Sequence, residues 1–338
     1  MNKAFYYLDK GQKNETGVQV FTKEVISTLR RKGHTLNKVN PGIFKSSRYS
    51  LYLFEQFILP LFLIFKGSPY LLCLSNTFPL VYRNSIVVIH DAAAVNGDWF
   101  KPLRYKLYFK YILPFFLRYQ KHIYTVSEFS KKQIIQAFNI KENKVIVLGN
   151  GTSFNTKEII QDTEVYSKQE RPFVLTIGSI DPRKNLKVLI KAFSQSETSN
   201  SHDLLIVGEK NQIFKDENLE KFVHPNIIFT GYLEKKKLID TLLKAELFIS
   251  VSLYEGFGIP VLEAISLNKN IVISQIKTYK EIFHGCGYFT DPLDTNEIAE
   301  NIDKALKYGI TTKMEWNRIE VLKKFTWENL TNKMLEKL

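Results

Sequence analysis

A strand-to-helix junction in the second half of the chain reads Ser252-Leu253-Tyr254-Glu255-Gly256-Phe257-Gly258-Ile259-Pro260-Val261-Leu262-Glu263-Ala264. The apolar run before it, residues 247–251, predicts a strand, and residues 259–265 predict a helix with Pro260 in its first turn. Backbone N–H groups at such a helix start can bind an anion, and Gly256 and Gly258 leave them uncovered. The junction therefore predicts an α/β fold with an anion site at the carboxyl end of this strand.

Strands and helices alternate on both sides of the junction. In the first half, strands are predicted at 4–8, 70–74, 85–89, 122–126 and 145–148, with helices at 17–31, 101–119 and 130–138. In the second half, strands are predicted at 173–177, 204–207, 227–229, 247–251 and 271–273, with helices at 186–193, 235–245, 259–265 and 327–338. The polar segment 152–171 reads as a linker. This pattern predicts two doubly wound, Rossmann-like parallel-sheet domains with a cleft between them.

A second junction carries positive charge. It reads Gly178-Ser179-Ile180-Asp181-Pro182-Arg183-Lys184-Asn185 and joins the predicted strand 173–177 to the predicted helix 186–193. Gly178 permits a tight turn, and two adjacent cations suit a diphosphate because Arg can bind two oxygens at once. Taken alone, this junction also fits a solvated turn, and the first one fits a helix start with favourable acidic residues. Together they predict a site for a phosphorylated ligand.

Other nucleotide- and metal-binding motifs are missing from the sequence. The glycine pairs at 149–151, 256–258 and 285–287 lack the third glycine of a dinucleotide-binding fingerprint, and no G-x-x-x-x-G-K-[ST] or H-E-x-x-H is present. Cys73 and Cys286 are too far apart for a metal or redox motif. We expect no metal and no cofactor, so that phosphate would be held by helix N-termini and basic side chains.

The charge is concentrated in one half of the chain. The 338 residues carry a net charge of +13, with 44% hydrophobic and 24% charged residues, a composition typical of folded proteins. Residues 1–150 contain 22 Lys and Arg against 8 Asp and Glu, whereas residues 151–338 contain 25 against 26. This asymmetry predicts two domains with different partners.

The sequence also suggests where the protein works. Residues 1–13 lack the apolar core of a signal peptide, and the longest apolar run, residues 57–65, is interrupted by Pro60 and too short to span a bilayer. We expect a cytoplasmic protein, and a peripheral position at the inner face of the membrane stays open.

The two junctions together resemble those of the retaining nucleotide-sugar glycosyltransferases of family 4, which are group 1 glycosyltransferases of GT-B fold. The family's pair of glutamates eight residues apart matches Glu255 and Glu263, and its basic pair matches Arg183 and Lys184. Further matching segments are Ile89-His90-Asp91, Thr125-Val126-Ser127-Glu128-Phe129-Ser130 and Phe229-Thr230-Gly231-Tyr232. The likeness covers residues 15–335 and leans toward mannosyltransferases.

The resemblance implies a domain organisation. Residues 1–165 would form an acceptor-binding domain, residues 166–322 a nucleotide-sugar-binding domain, and residues 323–338 a helix that crosses back to the first domain. The implied activity is metal-independent transfer of a hexose from a UDP- or GDP-sugar to a glycan or lipid-linked acceptor, with retention of the anomeric configuration.

The resemblance also implies residue roles. Arg183 and Lys184 would bind the donor diphosphate and stabilise charge on the leaving nucleotide. Glu255 would contact hexose hydroxyls, Glu263 would accept hydrogen bonds from the ribose, and His90 would lie near the reacting carbon. The remaining donor contacts are assigned to Gly17 in the loop before the first helix, Gly178, Tyr232, Leu233, Gly256, Phe257, Gly258 and Ile259.

Other functions stay open from the residues alone. A different GT-B enzyme, such as an inverting transferase or a sugar-nucleotide epimerase, fits the same motifs. A non-catalytic sugar-binding protein fits them too, and the basic first half is compatible with nucleic-acid binding, although no helix-turn-helix, zinc-finger or RNP motif is present.

Basic and aromatic residues alternate in two segments of the first half, residues 49–66 and 99–121. The cations of the second segment are Lys101, Arg104, Lys106, Lys110, Arg118 and Lys121. One interpretation is a solvated basic surface over buried aromatic side chains. The other is an interfacial patch that contacts anionic lipid and admits a lipid-diphosphate-linked acceptor.

Overall fold

The computed structural model describes residues 3–9, 16–96, 99, 107–152, 154, 171–209, 219 and 224–338. The chain divides into two compact units. Unit 1 comprises Met1–Asn96, Arg104–Gly151 and Trp327–Leu338, and unit 2 comprises Gly97–Leu103 and Thr152–Thr326. The expected linker lies largely outside the described residues, as does the boundary expected at residues 165 and 166.

Unit 1 is built on a parallel sheet of six strands. The strands are β1 (Ala4–Leu8), β2 (Thr35–Val39), β3 (Tyr70–Cys73), β4 (Ser85–Val88), β5 (Ile123–Thr125) and β6 (Val145–Val147). Their order across the sheet is β2-β1-β3-β4-β5-β6, and every pairing is parallel. The sequence pattern predicted five of these strands. It missed β2, whose Thr-Leu-Asn-Lys-Val sequence has little apolar character.

The helices of unit 1 lie in the connections between its strands. They are α1 (Gly17–Arg31), α2 (Arg48–Leu53), α3 (Leu59–Phe65), α4 (Ala93–Asn96), α5 (Leu113–Leu117) and α6 (Glu128–Phe138), with π-helical turns at Phe54–Ile58 and Tyr108–Ile112. Helix α1 buries Phe21, Val25 and Leu29 at four-residue spacing, as an amphipathic helix must. The helix expected at 101–119 is therefore a π turn followed by α5, and residues 101–106 lie outside the described part.

A seventh helix completes unit 1 from the far end of the sequence. Helix α13 (Trp327–Leu335) packs on α1, and the Phe21 and Trp327 rings meet edge-to-face with centroids 5.7 Å apart. A side chain at Gly151 would place its Cβ 2.6 Å from the Trp327 backbone nitrogen, so only glycine admits this approach. Leu330 and Met334 are fully buried. The core of unit 1 thus includes the last residues of the chain.

Unit 2 repeats the architecture. Its strands are β7 (Phe173–Ile177), β8 (Asp203–Val207), β9 (Ile227–Gly231), β10 (Leu247–Ser250), β11 (Asn270–Ser274) and β12 (Tyr288–Thr290), in the order β12-β11-β10-β7-β8-β9. All pairings are parallel. The described helices are α7 (Leu186–Gln195), α8 (Lys235–Lys244), α9 (Ile259–Ser266), α10 (Lys277–Ile282), α11 (Thr295–Tyr308) and α12 (Thr312–Lys324). The predicted doubly wound parallel sheets are confirmed.

The core of unit 2 joins its sheet to two helices. Buried Leu189 and Phe193 of α7 and Ile298 and Ile302 of α11 pack against Val174 of β7 and its neighbours. The ends of α11 are fixed by local chemistry, since Asp294 accepts hydrogen bonds from the Asn296 and Glu297 amides and Gly309 follows with φ +64°. In the described part of the chain, no helix combines the length and the apolar character needed to cross a membrane.

Candidate functional site

The two junctions singled out in the sequence meet at one edge of unit 2. Strands β7 and β10 are neighbours in the sheet, so the loops that follow them leave its carboxyl edge side by side. The Leu253 amide donates a hydrogen bond of 2.7 Å to the Arg183 carbonyl oxygen, which ties the two loops together. Ligands of open parallel sheets bind at this edge.

Lys184 and Glu255 form the centre of this region. Lys184 Nζ lies 2.6 Å from Glu255 Oε1, and the Ser252 hydroxyl donates to the same oxygen at 2.8 Å. The two side chains are only 16% and 13% exposed. An ion pair so far removed from water is held more rigidly than a surface pair, and it places a cation and a carboxylate together where the loops meet.

Asp181 fixes the second cation. This carboxylate is fully buried and accepts hydrogen bonds from Arg183 at three positions, namely the backbone amide, Nε and Nη2, each at 3.0 Å. The Ser179 hydroxyl donates to it as well. The planar guanidinium is therefore locked in orientation before any ligand binds. Asp181 was not among the predicted site residues, although its place two residues before Arg183 is an Asx-turn signal.

Two glycines, Gly178 and Gly208, allow close contacts around Lys184 at the ends of β7 and β8. A Cβ on Gly178 would lie 2.6 Å from Lys184 Cε, so the lysine side chain runs directly across the glycine backbone. The neighbouring Gly208, after β8, approaches the Gly178 carbonyl so closely that its Cβ would be 1.8 Å away. Gly178 therefore sets the path of the Lys184 side chain.

Helix α9 begins beside the ion pair. Gly258 precedes it with φ +103°, and a Cβ there would lie 2.5 Å from the Tyr279 ring. Burial, with a smaller effect of the Glu255 charge, raises the pKa of Tyr279 well above its ordinary value, so its hydroxyl stays protonated 2.9 Å from Ser250 Oγ. Gly256 and Ile259 lie on either side of Gly258, at the N-terminus of α9 where the first backbone amides of the helix are located.

Two further predicted residues lie at or near the start of α9. The Phe257 side chain is buried against Phe283 and Phe325, so its backbone alone can reach a ligand. Glu263 is buried at the fifth position of α9, little more than one turn from the helix start.

Tyr232 and Leu233 lie farther along the same sheet edge. They follow β9, which is separated from β7 by β8, and Leu233 is buried. The structure therefore brings Gly178, Arg183, Lys184, Glu255 and the start of α9 together, and places Tyr232 and Leu233 two strands away.

His90 and Gly17 belong to unit 1. His90 follows β4, and its Nε2 lies 2.9 Å from the Leu74 carbonyl oxygen. Because a carbonyl oxygen can only accept, the neutral ring carries its hydrogen on Nε2, and Nδ1 keeps its lone pair. Burial, partly offset by the Leu74 hydrogen bond and the Asp91 charge, lowers the pKa of His90. Gly17 is the first residue of α1 after the N-cap Thr16, and not a loop residue as expected.

A small cavity of about 30 Å³ lies in unit 1 at the carboxyl ends of β1 and β3. Its lining includes Leu8, Thr22, Ser75, Thr77 and the carboxylate of Glu55. Glu55 is only 5% exposed, and its Oε1 accepts a hydrogen bond of 2.9 Å from the Thr77 hydroxyl. Glu55 was not among the predicted site residues. The signal that could have found it is that it is the only charged residue in the largely apolar segment 51–65.

Over the described ranges, no three His, Cys, Asp or Glu side chains are grouped so that they could hold a metal ion.

The region that contains both junctions is similar to a known family of proteins. Residues 157–318, which contain both junctions, match the profile of the family described as glycosyl transferases group 1. The chain is 26% identical over 266 residues to O-antigen chain mannosyltransferase B of Escherichia coli, covering 75% of this chain and 69% of that protein. It is also 26% identical over 253 residues to O-antigen chain mannosyltransferase RfbU of Salmonella typhimurium, covering 72% and 67%.

A solved structure shows the same fold. Anabaena HepE, determined in complex with UDP and glucose, matches with a TM-score of 0.71 at 15% sequence identity and covers 99% of both chains. With the two parallel sheets, this likeness confirms the predicted GT-B fold class.

Proposed function

We propose that this chain, whose residues 157–318 match the profile of group 1 glycosyl transferases, transfers a hexose from a UDP- or GDP-sugar to a glycan or lipid-linked acceptor. The observation that carries this proposal is the cluster of Arg183, Lys184 and Glu255 at the carboxyl ends of β7 and β10. It combines two oriented cations with a carboxylate that can bind hydroxyl groups. The names of the two relatives favour mannose as the hexose and a bacterial surface polysaccharide as the product.

In this proposal the cations hold the donor diphosphate. Arg183, oriented by Asp181, presents a fixed fork that suits two phosphate oxygens, and Lys184 adds a second positive charge. As the bond between the sugar and the diphosphate breaks, negative charge grows on the leaving oxygen, and these side chains stabilise it without a metal.

The start of α9 completes the donor contacts. Amides at Gly256, Phe257, Gly258 and Ile259 would bind phosphate or sugar oxygens at the positive end of the helix. Glu255 would accept hydrogen bonds from hexose hydroxyls and Glu263 from the ribose. Gly178 keeps the backbone close to the diphosphate, while Tyr232 and Leu233 are assigned to the nucleotide base and Gly17 to phosphate or acceptor.

We assign His90 to the hexose near the reacting carbon. Its neutral ring, with Nε2 donating to Leu74, leaves Nδ1 able to accept a hydrogen bond from a sugar hydroxyl.

The reaction we propose retains the anomeric configuration. The acceptor oxygen forms its bond to the anomeric carbon on the face from which the diphosphate leaves, while the carbon–oxygen bond to the diphosphate breaks. The acceptor proton passes to the departing phosphate oxygen, so no side chain forms a covalent intermediate.

The acceptor side of the proposal uses the unit 1 cavity. Glu55, Thr22, Ser75 and Thr77 line this small cavity, which has room for a single polar group rather than a whole sugar. We propose that one hydroxyl group of the acceptor sugar reaches into it and hydrogen-bonds the Glu55 carboxylate.

Two measurements test the function. A thermal-shift panel of GDP-mannose, UDP-glucose, UDP-galactose and their free nucleotides identifies the donor, because a ligand that binds only the folded state raises its melting temperature. NMR of the product then gives its anomeric configuration. An α-linked product from an α-linked donor is expected, in the presence or absence of EDTA.

The outcomes also separate the alternatives. A β-linked product indicates an inverting transferase, and interconversion of the nucleotide sugar without acceptor indicates an epimerase. Stabilisation by a nucleotide sugar without turnover on any acceptor indicates a non-catalytic sugar-binding protein. Near-normal transfer by both Glu255→Ala and Arg183→Ala would overturn the proposed site.

A further inference from the structure

Two helical segments of unit 1 share one pattern at a distance of 54 residues. Phe57-Ile58-Leu59-Pro60-Leu61-Phe62-Leu63 aligns with Tyr111-Ile112-Leu113-Pro114-Phe115-Phe116-Leu117. Over the longer ranges 53–65 and 107–119, the identical pairs are Leu53/Leu107, Ile58/Ile112, Leu59/Leu113, Pro60/Pro114, Phe62/Phe116 and Leu63/Leu117. The two segments are therefore alike in sequence, and they are also alike in backbone conformation.

The same backbone irregularity occurs in both segments. Each has a π turn, Phe54–Ile58 or Tyr108–Ile112, immediately before its Leu-Pro pair. The Leu59 amide donates to the Phe54 carbonyl, and the Leu113 amide donates to the Tyr108 carbonyl. Proline cannot donate to the carbonyl four residues before it, and a wider turn relieves the clash of its ring with that carbonyl. The two segments therefore present their side chains in the same way.

One side of each segment is core. Leu59 and Leu63 of α3 are 1% and 0% exposed, and their counterparts Leu113 and Leu117 of α5 are fully buried. This burial anchors both helices to the sheet through equivalent positions.

The other side of each segment is apolar as well, yet it is exposed. Residues at four-residue spacing are between 51% and 88% exposed, namely Phe57, Leu61, Phe65, Tyr111, Phe115 and Tyr119. These six side chains are called the paired aromatic surface below. The aromatic side chains of these segments are thus not all buried beneath a basic surface, which was one expectation from the sequence. Apolar surface of this extent marks an interaction site in a folded protein.

The sheet topology places both segments on one side of the sheet. The connection from β2 to β3, which contains α3, and the connection from β4 to β5, which contains α5, run in the same direction across the strand order. Crossover connections between parallel strands are right-handed, so two crossovers that run in the same direction put their helices on the same face. The connection from β1 to β2 runs the other way and takes α1 to the opposite face.

Charge indicates what covers this surface. Exposed Lys66, Lys110, Arg118 and Lys121 flank it, and no Asp or Glu occurs between residues 99 and 121. Glu55, the acidic residue of the first segment, is buried. Pairing of two copies would bring two positive surfaces together, whereas a layer of anionic headgroups compensates the charge.

We propose that the paired aromatic surface docks unit 1 on an anionic phospholipid bilayer. The exposed rings enter the boundary between headgroups and acyl chains, and the flanking cations remain among the phosphates. Lys110 Nζ already lies 5.4 Å from the centroid of the Tyr111 ring, which keeps this ammonium next to an inserting ring. The inference is independent of the proposed reaction.

The test is vesicle co-sedimentation of the full chain without nucleotide sugar. Binding to vesicles of phosphatidylglycerol and phosphatidylcholine is expected, with weaker binding to phosphatidylcholine alone. Replacing Phe65 and Tyr119 by Glu should reduce the partition coefficient at least tenfold. The matched control replaces Leu293 and Trp316, which are 73% and 67% exposed in unit 2, by Glu and should leave binding unchanged.

Salt separates insertion from simple charge attraction. Binding through cations alone disappears at high ionic strength, whereas insertion of the rings leaves a measurable part of it at 1 M NaCl. Melting temperatures of both double variants should match the unmodified chain, because the replaced side chains are exposed.

Three outcomes would overturn the proposal. They are no sedimentation with anionic vesicles at low salt, equal loss in the unit 2 control, and complete loss of binding at 1 M NaCl. Light scattering of the chain alone adds a fourth: a dimer that the Phe65 and Tyr119 double variant converts to monomer would make a second copy the partner of this surface.

Discussion

Lys184 and Glu255 are 71 residues apart in the chain, yet Lys184 Nζ and Glu255 Oε1 are separated by only 2.6 Å. The contact closes the gap between the loops after β7 and β10, and both side chains are largely withdrawn from water. A bound diphosphate would compete with Glu255 for the lysine, and a bound hexose would compete with the lysine for Glu255. The pair therefore provides a site in which each partner holds the other in position until the donor arrives.

The first prediction concerns this ion pair. Glu255→Gln and Lys184→Met should each lower kcat/KM by about 10²-fold, since each removes a charged contact to the reacting donor. The double variant should lose less than the product of the two losses, because the residues act as a unit. Steady-state kinetics with the donor found by thermal shift provide the measurement.

The matched control is another lysine–carboxylate pair of unit 2. Lys244 Nζ lies 2.9 Å from Asp240 Oδ2 within α8. Lys244→Met should leave kcat/KM within about twofold, as expected for an ion pair with no ligand role. Full activity of Glu255→Gln would remove Glu255 from the site.

A second prediction concerns Asp181, which orients Arg183. Asp181→Asn keeps the size of the side chain but removes the carboxylate that holds Nε and Nη2. We expect the KM for the donor to rise about tenfold and kcat to fall as well, because the guanidinium is no longer pre-oriented toward the phosphate that it binds and stabilises.

The control for this change is Asp203→Asn, which weakens the 3.4 Å contact of Asp203 with Arg171 at the start of β8. An equal rise in KM in the two variants would show that loss of any carboxylate in unit 2 has the same effect.

A third prediction separates crowding from backbone strain at Gly258. Gly258→Ala places a methyl group 2.5 Å from the Tyr279 ring, whereas Gly309→Ala, also at positive φ, has no atom within 4 Å of the added carbon. Both glycines have positive φ, so both variants incur backbone strain, and only the first must displace a buried ring. Gly258→Ala should lower the melting temperature by roughly 4–8 °C more than Gly309→Ala. Equal shifts in calorimetry would contradict the close contact.

A fourth prediction uses the lowered pKa of His90. Below about pH 6.5 an unfolded chain binds a proton at this residue, while the folded protein keeps the ring neutral. Protons therefore favour unfolding, and this destabilisation grows as the pH falls from 6.5 toward the lowered pKa of the folded state. The melting temperature should fall between pH 7 and pH 5, and His90→Asn should reduce that fall.

The exposed His284 supplies the comparison, and His284→Asn should leave the pH dependence as it was. His122 needs its own variant, because burial and the charge of Lys121 lower its pKa too. A pH dependence that is the same with and without His90 would show that the ring titrates normally.

A fifth prediction tests the cavity of unit 1. Glu55→Gln should raise the KM for the acceptor by about tenfold, because a neutral amide is a weaker acceptor of sugar hydroxyls than a carboxylate. The thermal shift produced by the donor should be unchanged, which serves as an internal control. An unchanged acceptor KM would place the acceptor elsewhere.

Sequence patterns predicted the sheets well because their signals are local. The observed bounds of strand β1, helix α1 and strand β7 are the same as those predicted from the apolar periodicity. Strands β2 and β12 were missed, since neither forms an apolar run that stands out from its surroundings. The helices at 277–282, 295–308 and 312–324 were predicted only as a general helical stretch, because their patterns merge.

The site could be predicted only in part, for a physical reason. Arg183, Lys184 and Glu255 are charged residues in glycine-containing loops, a combination visible in the sequence. The partners that orient them, Asp181 and Ser252, are recognised only when distances are known. The sequence likeness of residues 53–65 to residues 107–119 was also not predicted. Several of the aligned positions carry different apolar or aromatic residues, so the likeness becomes evident only when the two π turns are aligned.

The packing of α13 on α1 bears on how the chain is made in the cell. Tyr124 of β5 donates a hydrogen bond to the Met334 carbonyl oxygen, and the ring of Trp327 rests against Phe21. A ribosome that has just completed Gly151 must still synthesise residues 152–326 before these contacts can form, a delay on the order of ten seconds or more at the usual rate of translation. During that interval Phe21 and Tyr124 lack the partners that α13 supplies in the folded protein. The fold of unit 1 is therefore completed only after most of unit 2 has been synthesised.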